Sequence, residues 1–237
     1  MGEVLTLDLE QKAAAARELL TQAVAQYGKV VYANSLGAEA MVLTDLIWTH
    51  APEIDIFSID TGRLHQETYD LLEKLELRYK RHIRIVSPEA PSLEQLNAAQ
   101  GINGFYHSLE ARVSCCGVRK IEPFKRAIAG YKAWVTGVRR EQSATRARGQ
   151  AIEWDAQYGL QKISPLLEWT EGEIWQYIRA RHLPYSSLHD RGYPSIGCWP
   201  CTRSVLPGED ERAGRWSGTA KTECGLHTIE ERDGSGI

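Results

Sequence analysis

Five cysteines constrain this chain of 237 residues more than any other feature. They fall as an adjacent pair, Cys115-Cys116, then as Cys198-Trp199-Pro200-Cys201, and then as Cys224 alone near the C-terminus. Four grouped thiols and one apart suggest a four-thiolate metal site with a separate reactive sulfur. A soft cluster such as [4Fe–4S] takes four thiolates converging on one point, and a four-cysteine zinc site uses the same ligands. The plain alternative is a set of unrelated buried cysteines, since a free cysteine packs as a small hydrophobe. Neighbouring side chains diverge, so the adjacent pair calls for a sharp backbone turn or a helix start. Cys224 lies in Glu223-Cys224-Gly225-Leu226-His227, and the chain then runs to Asp-Gly-Ser-Gly-Ile. That is the composition of a mobile tail able to carry a nucleophile to a site elsewhere.

The charge balance, 28 Lys and Arg against 31 Asp and Glu, exerts no global pull toward nucleic acid or an acidic membrane. Positive charge is local instead. Arg139, Arg140, Arg146 and Arg148 sit close together, and Arg203, Arg212 and Arg215 follow the CxxC. Such clusters suit a small anion, although a solvated charged face would look the same. Met1–Gln26 lacks the apolar stretch of a signal peptide, and no run approaches the roughly 18 apolar residues of a membrane span. A cytoplasmic chain keeps its thiols reduced, which favours metal binding or catalysis over disulfides.

The pattern alternates helix and strand. Residues 8–27 read as a helix, Lys29–Ala33 as a strand and Ala38–Thr49 as an apolar helix. Ile54–Ile59, Leu64–Tyr79 and His82–Val86 continue the alternation, followed by a short helix over Ser92–Ala99 capped by Ser92. Lys132–Val135 is a fourth strand. Repeated βα units predict an α/β domain with a mostly parallel sheet and helices on both faces. Ligands on such sheets bind beyond the C-terminal strand ends. Thr170-Glu171-Gly172-Glu173 is a capping box opening a helix to Arg181. Residues 182–224 show no clean period, and a stretch of that kind is functional or disordered. The expected division is a single domain over 1–205 that includes the cysteine site, and a C-terminal arm over 206–237 carrying arginines and the nucleophile.

Three expected strand ends carry polar or glycine-bearing turns. Asn34-Ser35-Leu36-Gly37-Ala38-Glu39 opens a helix, where free N–H groups attract phosphate, but it lacks the Lys-Ser/Thr ending of a Walker loop. Asp60-Thr61-Gly62 follows the second strand and could meet a nucleoside or cap the next helix. Thr136-Gly137-Val138-Arg139-Arg140 follows the fourth. The conjunction is stronger than any one loop.

With those motifs in place, the chain resembles the iron–sulfur adenylyl-sulfate (APS) reductases of the phosphoadenylyl-sulfate reductase family. The resemblance is carried by Cys115-Cys116-Gly117-Val118-Arg119-Lys120, Thr136–Arg140, Cys198–Cys201, Arg212–Trp216 and Glu223–His227, together with Asp60-Thr61-Gly62, and it runs from about residue 25 to residue 227. It implies a fold like that of the adenine nucleotide α-hydrolases, with a modified PP-loop at Asn34–Glu39 that includes Ser35 and Gly37. It implies a [4Fe–4S] cluster on Cys115, Cys116, Cys198 and Cys201. Adenosine would lie near Ile59, Asp60, Thr61 and Gly137, and Lys120, Arg146, Arg212 and Arg215 would hold the phosphosulfate. The loop departs from the family's usual Gly-Ala-Glu-Asp ending in having Ala40. Relatives commonly self-associate, so a homo-oligomer is implied.

The implied chemistry belongs to assimilatory sulfate reduction and cysteine biosynthesis. The Cys224 thiolate attacks the sulfate sulfur of APS and AMP leaves; reduced thioredoxin, or a glutaredoxin-like donor, then releases sulfite. Cysteine suits both steps because it is a good nucleophile and a good leaving group. His227 could assist or be a solvated tail residue. Competing readings are a reductase acting on PAPS or on both nucleotides, a PP-loop adenylating enzyme, and a four-cysteine zinc module with an incidental tail cysteine.

Overall fold

The computed structural model describes residues 5–142, 146–216 and 226. Its centre is a six-stranded sheet in the order β3-β2-β1-β4-β6-β5, built from β1 (Val30–Asn34), β2 (Asp55–Ile59), β3 (Arg84–Val86), β4 (Ala133–Val135), β5 (Ile152–Asp155) and β6 (Leu160–Ile163). All pairings are parallel except β5 with β6 at the edge. The central strands are buried on both faces, as parallel strands under crossover helices must be.

Each face has its own core. Over one pack α1 (Leu7–Tyr27), α2 (Ala38–His50), α3 (Gln66–Tyr79) and α7 (Glu171–Ala180). α1 starts at Thr6, whose hydroxyl accepts from Leu9 N, and stops at Gly28, where φ is 68°. It buries Leu9, Ala13, Ala16, Leu20 and Ala23, a stripe recurring every three to four residues. α2 buries nearly every residue of its first three turns. The opposite core is smaller and aromatic: Phe57 of β2 and Trp134 of β4 meet Phe124 of α6 (Glu122–Ile128) at ring-centroid distances of 6.0 and 5.1 Å.

Two expectations change. The helix expected from Ser92 is α4 (Ala90–Gln100), which starts earlier, after Glu89 with Pro91 in its first turn. Pro91 lacks the N–H that a helix start leaves unused in any case, so it marks the true beginning. The adjacent cysteines lie at neither a sharp turn nor a helix start. They close α5 (Leu109–Cys116), which continues through a π-helical turn, Gly117–Ile121, into α6. Both the sheet and the capping box at Thr170 are as expected from sequence.

The α2, α3 and α7 helices converge on Asp45, which is 4% exposed. It accepts from the Tyr79 hydroxyl at 2.7 Å and the Tyr177 hydroxyl at 2.8 Å. Burial, and then Asp45 itself, pushes both phenols well above their ordinary range. Asp45→Ala removes the charged acceptor that the Tyr79 and Tyr177 hydroxyls share and is expected to cost about 3 kcal/mol, the scale of hydrogen bonds to a charged group. Thermal unfolding should read this as a fall in Tm of about 6–12 °C for a chain of this size.

Candidate active site

The strand ends converge, as the switch-point rule requires, on a cleft of about 190 Å³. β1 ends in Asn34, whose side chain folds back to accept from Leu36 N at 2.8 Å and to donate to Thr44 Oγ1. This bends Asn34–Gly37 into a loop before α2 and sets Ser35 and Gly37 on the cleft wall. Leu36 takes a φ of 60°, in the left-handed region that a leucine rarely adopts. Gly137, after β4, lets α2 approach closely: a Cβ there would lie 3.1 Å from Glu39 Cβ.

Ile59, Thr61, Lys120, Arg146, Arg212 and Arg215 line the same cleft, as does Cys198. Of the described residues expected to meet substrate, only Asp60 is absent from its wall. The Asp60 carboxylate accepts from Gly62 N at 2.8 Å and the Tyr69 hydroxyl at 2.9 Å, so it shapes the turn. Tyr69 is pushed up to about 12 by burial first and then by Asp60. The π turn accounts for Lys120. By widening the helix it places adjacent cations to different purposes: Arg119 donates to Thr61 O at 2.8 Å while Lys120 reaches the cleft.

Arg212 and Arg215 are presented by a folded-back segment. Thr202 pairs with Arg215 in an antiparallel bridge, Arg203 N donates to Gly214 O, and Trp216 N donates to Cys201 O at 2.9 Å. The CxxC thus anchors the arginine segment directly. Arg215 donates to Ser195 Oγ and Ile196 O, both at 3.1 Å, and stacks over Trp216 at 4.6 Å. Its buried Nε has no hydrogen-bond partner among the described residues, which suits a site meant to receive an anion.

All four grouped thiols are half-buried, and no disulfide joins them. They lie near enough for their charges to act on one another: Cys116 and Cys198 act on Cys115, and the other three act on Cys201. Among the described residues, no three His, Cys, Asp or Glu side chains form a group that could hold one metal ion. Arg112 donates to Cys201 Sγ at 2.9 Å, and Thr61 Oγ1 lies 3.2 Å from Cys198 Sγ. Burial pushes the Cys201 thiol up to about 11 against the pull of Arg112. Burial likewise raises Cys115, with Cys116 adding to it and Arg119 opposing. The Nε atoms of Arg63, Arg112 and Arg119 are buried without a partner among the described residues. Four soft donors beside three underused guanidiniums fit a group that is both thiolate-bound and anionic. Sequence reasoning missed Arg63 and Arg112, because nothing local marks an arginine that serves a cysteine distant in sequence. Cys224 and His227 lie outside the described residues; Leu226, between them in the motif, is buried against the cleft wall.

Gly214 is forced by close approach, since a Cβ there would sit 2.2 Å from Arg203 O. Gly214→Ala should therefore push the arginine segment off its bridge at a cost of about 1–3 kcal/mol, the scale of overpacking. Trypsin should then cut at Arg203, Arg212 or Arg215 under native conditions that leave the wild-type segment intact.

The phosphoadenosine phosphosulfate reductase domain matches residues 29–204. The chain is 50% identical to the adenosine 5'-phosphosulfate reductase of Allochromatium vinosum over 224 residues, 94% of this chain and 88% of the relative. It is 47% identical to that of Burkholderia cepacia over 225 residues, 94% of this chain and 90% of the relative. Among solved structures, the phosphate complex of the Candida auris phosphoadenylyl-sulfate (PAPS) reductase matches with a TM-score of 0.69 at 27% identity, over 86% of this chain and all of that one. The Candida glabrata FMN adenylyltransferase in complex with ATP matches with a TM-score of 0.57 at 18% identity, over 81% of this chain and 61% of that one, a likeness of fold. On the domain match and these identities, the chain belongs to the phosphoadenosine phosphosulfate reductase domain family.

Proposed function

We propose that the protein reduces adenosine 5'-phosphosulfate to sulfite and AMP, with thioredoxin or a glutaredoxin-like protein as electron donor. The observation that carries the reading is the shared wall: Cys198 of the thiol group and the cations Lys120, Arg146, Arg212 and Arg215 face one cleft at the strand ends. The names of the relatives supply the substrate.

In this reading the adenosine lies against Ile59–Thr61 and Gly137, and the loop at Ser35 and Gly37 holds its ribose-phosphate side. Lys120, Arg146, Arg212 and Arg215 receive the phosphosulfate and stabilise the charge that builds on the departing phosphate. The Cys224 thiolate attacks the sulfate sulfur. A sulfur–sulfur bond forms, the bond from that sulfur to the phosphate oxygen breaks, and AMP leaves with the electron pair. A thiolate of the donor then attacks Cys224 Sγ, sulfite departs, and the donor's second thiol resolves the mixed disulfide. The donor supplies both electrons, because the other four cysteines are committed as ligands. Residues 1–205 act as the body and 206–237 as the arm that closes on it.

Cys115, Cys116, Cys198 and Cys201 would hold a [4Fe–4S] cluster, with Arg63, Arg112 and Arg119 offsetting its charge. Bound there, the cluster supplies structural and electrostatic support beside the cleft. Iron content and a brown colour separate this reading from a zinc module, and no step above depends on the cluster changing oxidation state.

Cys224→Ser is expected to bind APS and retain its iron while forming no sulfite; sulfite from that variant sinks the mechanism. Arg215→Ala, which removes one charge-assisted contact to the anion, should raise KM for APS by about tenfold to a hundredfold, measured by sulfite release under anaerobic conditions. Equal rates with PAPS would make the enzyme a dual reductase.

A further inference from the structure

Beside the cleft, one fully buried guanidinium faces an excess of carboxylates. The Arg139 side chain is 0% exposed, and its Nε lies 2.8 Å from Glu39 Oε1 of α2. Its Nη1 pairs with Glu141 on its own loop, and its Nη2 lies 3.2 Å from Glu211 Oε1. Glu171, at the start of α7, also acts on Glu211, and its backbone N–H donates to Glu141 Oε1 at 2.6 Å. Gln142 joins the group to the cleft: its Nε2 donates to Glu39 Oε1 at 2.8 Å, and its Oε1 accepts from Arg146. Glu39, Glu211, Arg146 and Arg212 all line the cleft.

We propose that Glu211 is a positioning residue that takes up a proton as residues 206–216 seat against Arg139, and that an anion entering the cleft strengthens this uptake. Arg139 brings one positive charge to three carboxylates that touch it, so it cannot neutralise them all. Glu211 makes the longest of the three contacts, and it alone belongs to the arginine-bearing segment. As a neutral acid it can still accept from Arg139 Nη2 through its carbonyl oxygen. As an anion it adds charge among Glu39, Glu141 and Glu171. His189 faces the same carboxylates from the 189–191 turn, but burial against Trp175 lowers its pKa and opposes the pull of Glu39.

Burial first, and then Glu39, Glu171 and Glu141, push Glu211 up to about 7 against the pull of Arg139. The seated carboxyl holds its proton more tightly than a detached one, so seating is favoured in full below the ordinary carboxylate range. That contribution is lost as pH rises from there through about 7. An anion held by Arg146, Arg212 and Arg215 adds negative charge nearby and shifts the balance further toward the proton. The identity of that anion rests on the function proposed above; the seating does not.

The test is amide hydrogen exchange of the full-length protein without ligand at about pH 6 and about pH 8, corrected for intrinsic rates. Peptides covering 206–216 should exchange at least about fivefold faster at the higher pH in the wild type. They should exchange slowly and equally at both in E211Q, which keeps the uncharged form. E141Q removes one repelling charge and should shift the wild-type transition to lower pH. A wild-type segment indifferent to pH, or an E211Q segment that still responds, overturns the proposal. Calorimetry of AMP binding in two buffers of different ionisation enthalpy should show proton uptake at about pH 7.5 in the wild type that is lost in E211Q. If AMP does not bind the wild-type protein, the substrate reading fails, and hydrogen exchange alone decides the role of Glu211.

Discussion

A parallel sheet buried on both faces has only its strand ends left for chemistry, and the rest of this structure depends on that constraint. Helices seal the two faces with separate cores, one built on the α1 and α2 stripes and one on Phe57, Phe124 and Trp134. The turns after β1, β2 and β4 are therefore the places where polar side chains and open backbone can gather. Asn34–Gly37, Thr61 and Gly137 reach one cleft because β2, β1 and β4 are neighbours in the sheet. The irregular C-terminal third then brings cations to the same opening. Its path is pinned at the CxxC, where Trp199 N donates to Arg63 O and Trp216 N donates to Cys201 O.

Thiols and cleft are consequently one unit. Thr61 touches both, lining the cleft while its hydroxyl lies beside Cys198 Sγ and its carbonyl accepts from Arg119. The π turn after Cys116 has the same double character, with Arg119 turned toward the Thr61 turn and Lys120 toward the cleft. A disturbance on either side of this shared wall has a short physical route to the other.

Much of this was legible in the amino-acid pattern, for definite reasons. β-branched runs ending in Gly-bearing turns announce buried parallel strands, and the Thr170 capping box marks α7 because its bonds are local. The cysteine spacing carried the thiol group. What escaped depends on partners far apart in sequence or on weak periodicity. α5, with Leu109 and Val113 exposed and Arg112 buried, inverts the usual amphipathic pattern, so no apolar stripe revealed it. The β5–β6 hairpin is a half-buried edge with no clean alternation. Arg139 reads as one of a run of surface arginines, yet it is wholly buried, because its carboxylate partners Glu39 and Glu211 come from opposite ends of the chain. Asp60 is a turn-forming residue: its bond from Gly62 N is local, and α3 brings its second partner, Tyr69, into place.

The central claim is that Cys224 receives the sulfur before any electron donor is involved. Anaerobically purified protein, incubated with APS and no reductant, tests this by peptide mass spectrometry and AMP release. The expected result is one sulfonate on the peptide containing Cys224 and one AMP released per chain. A sulfonate on any other residue, or AMP formed without covalent modification, would contradict it.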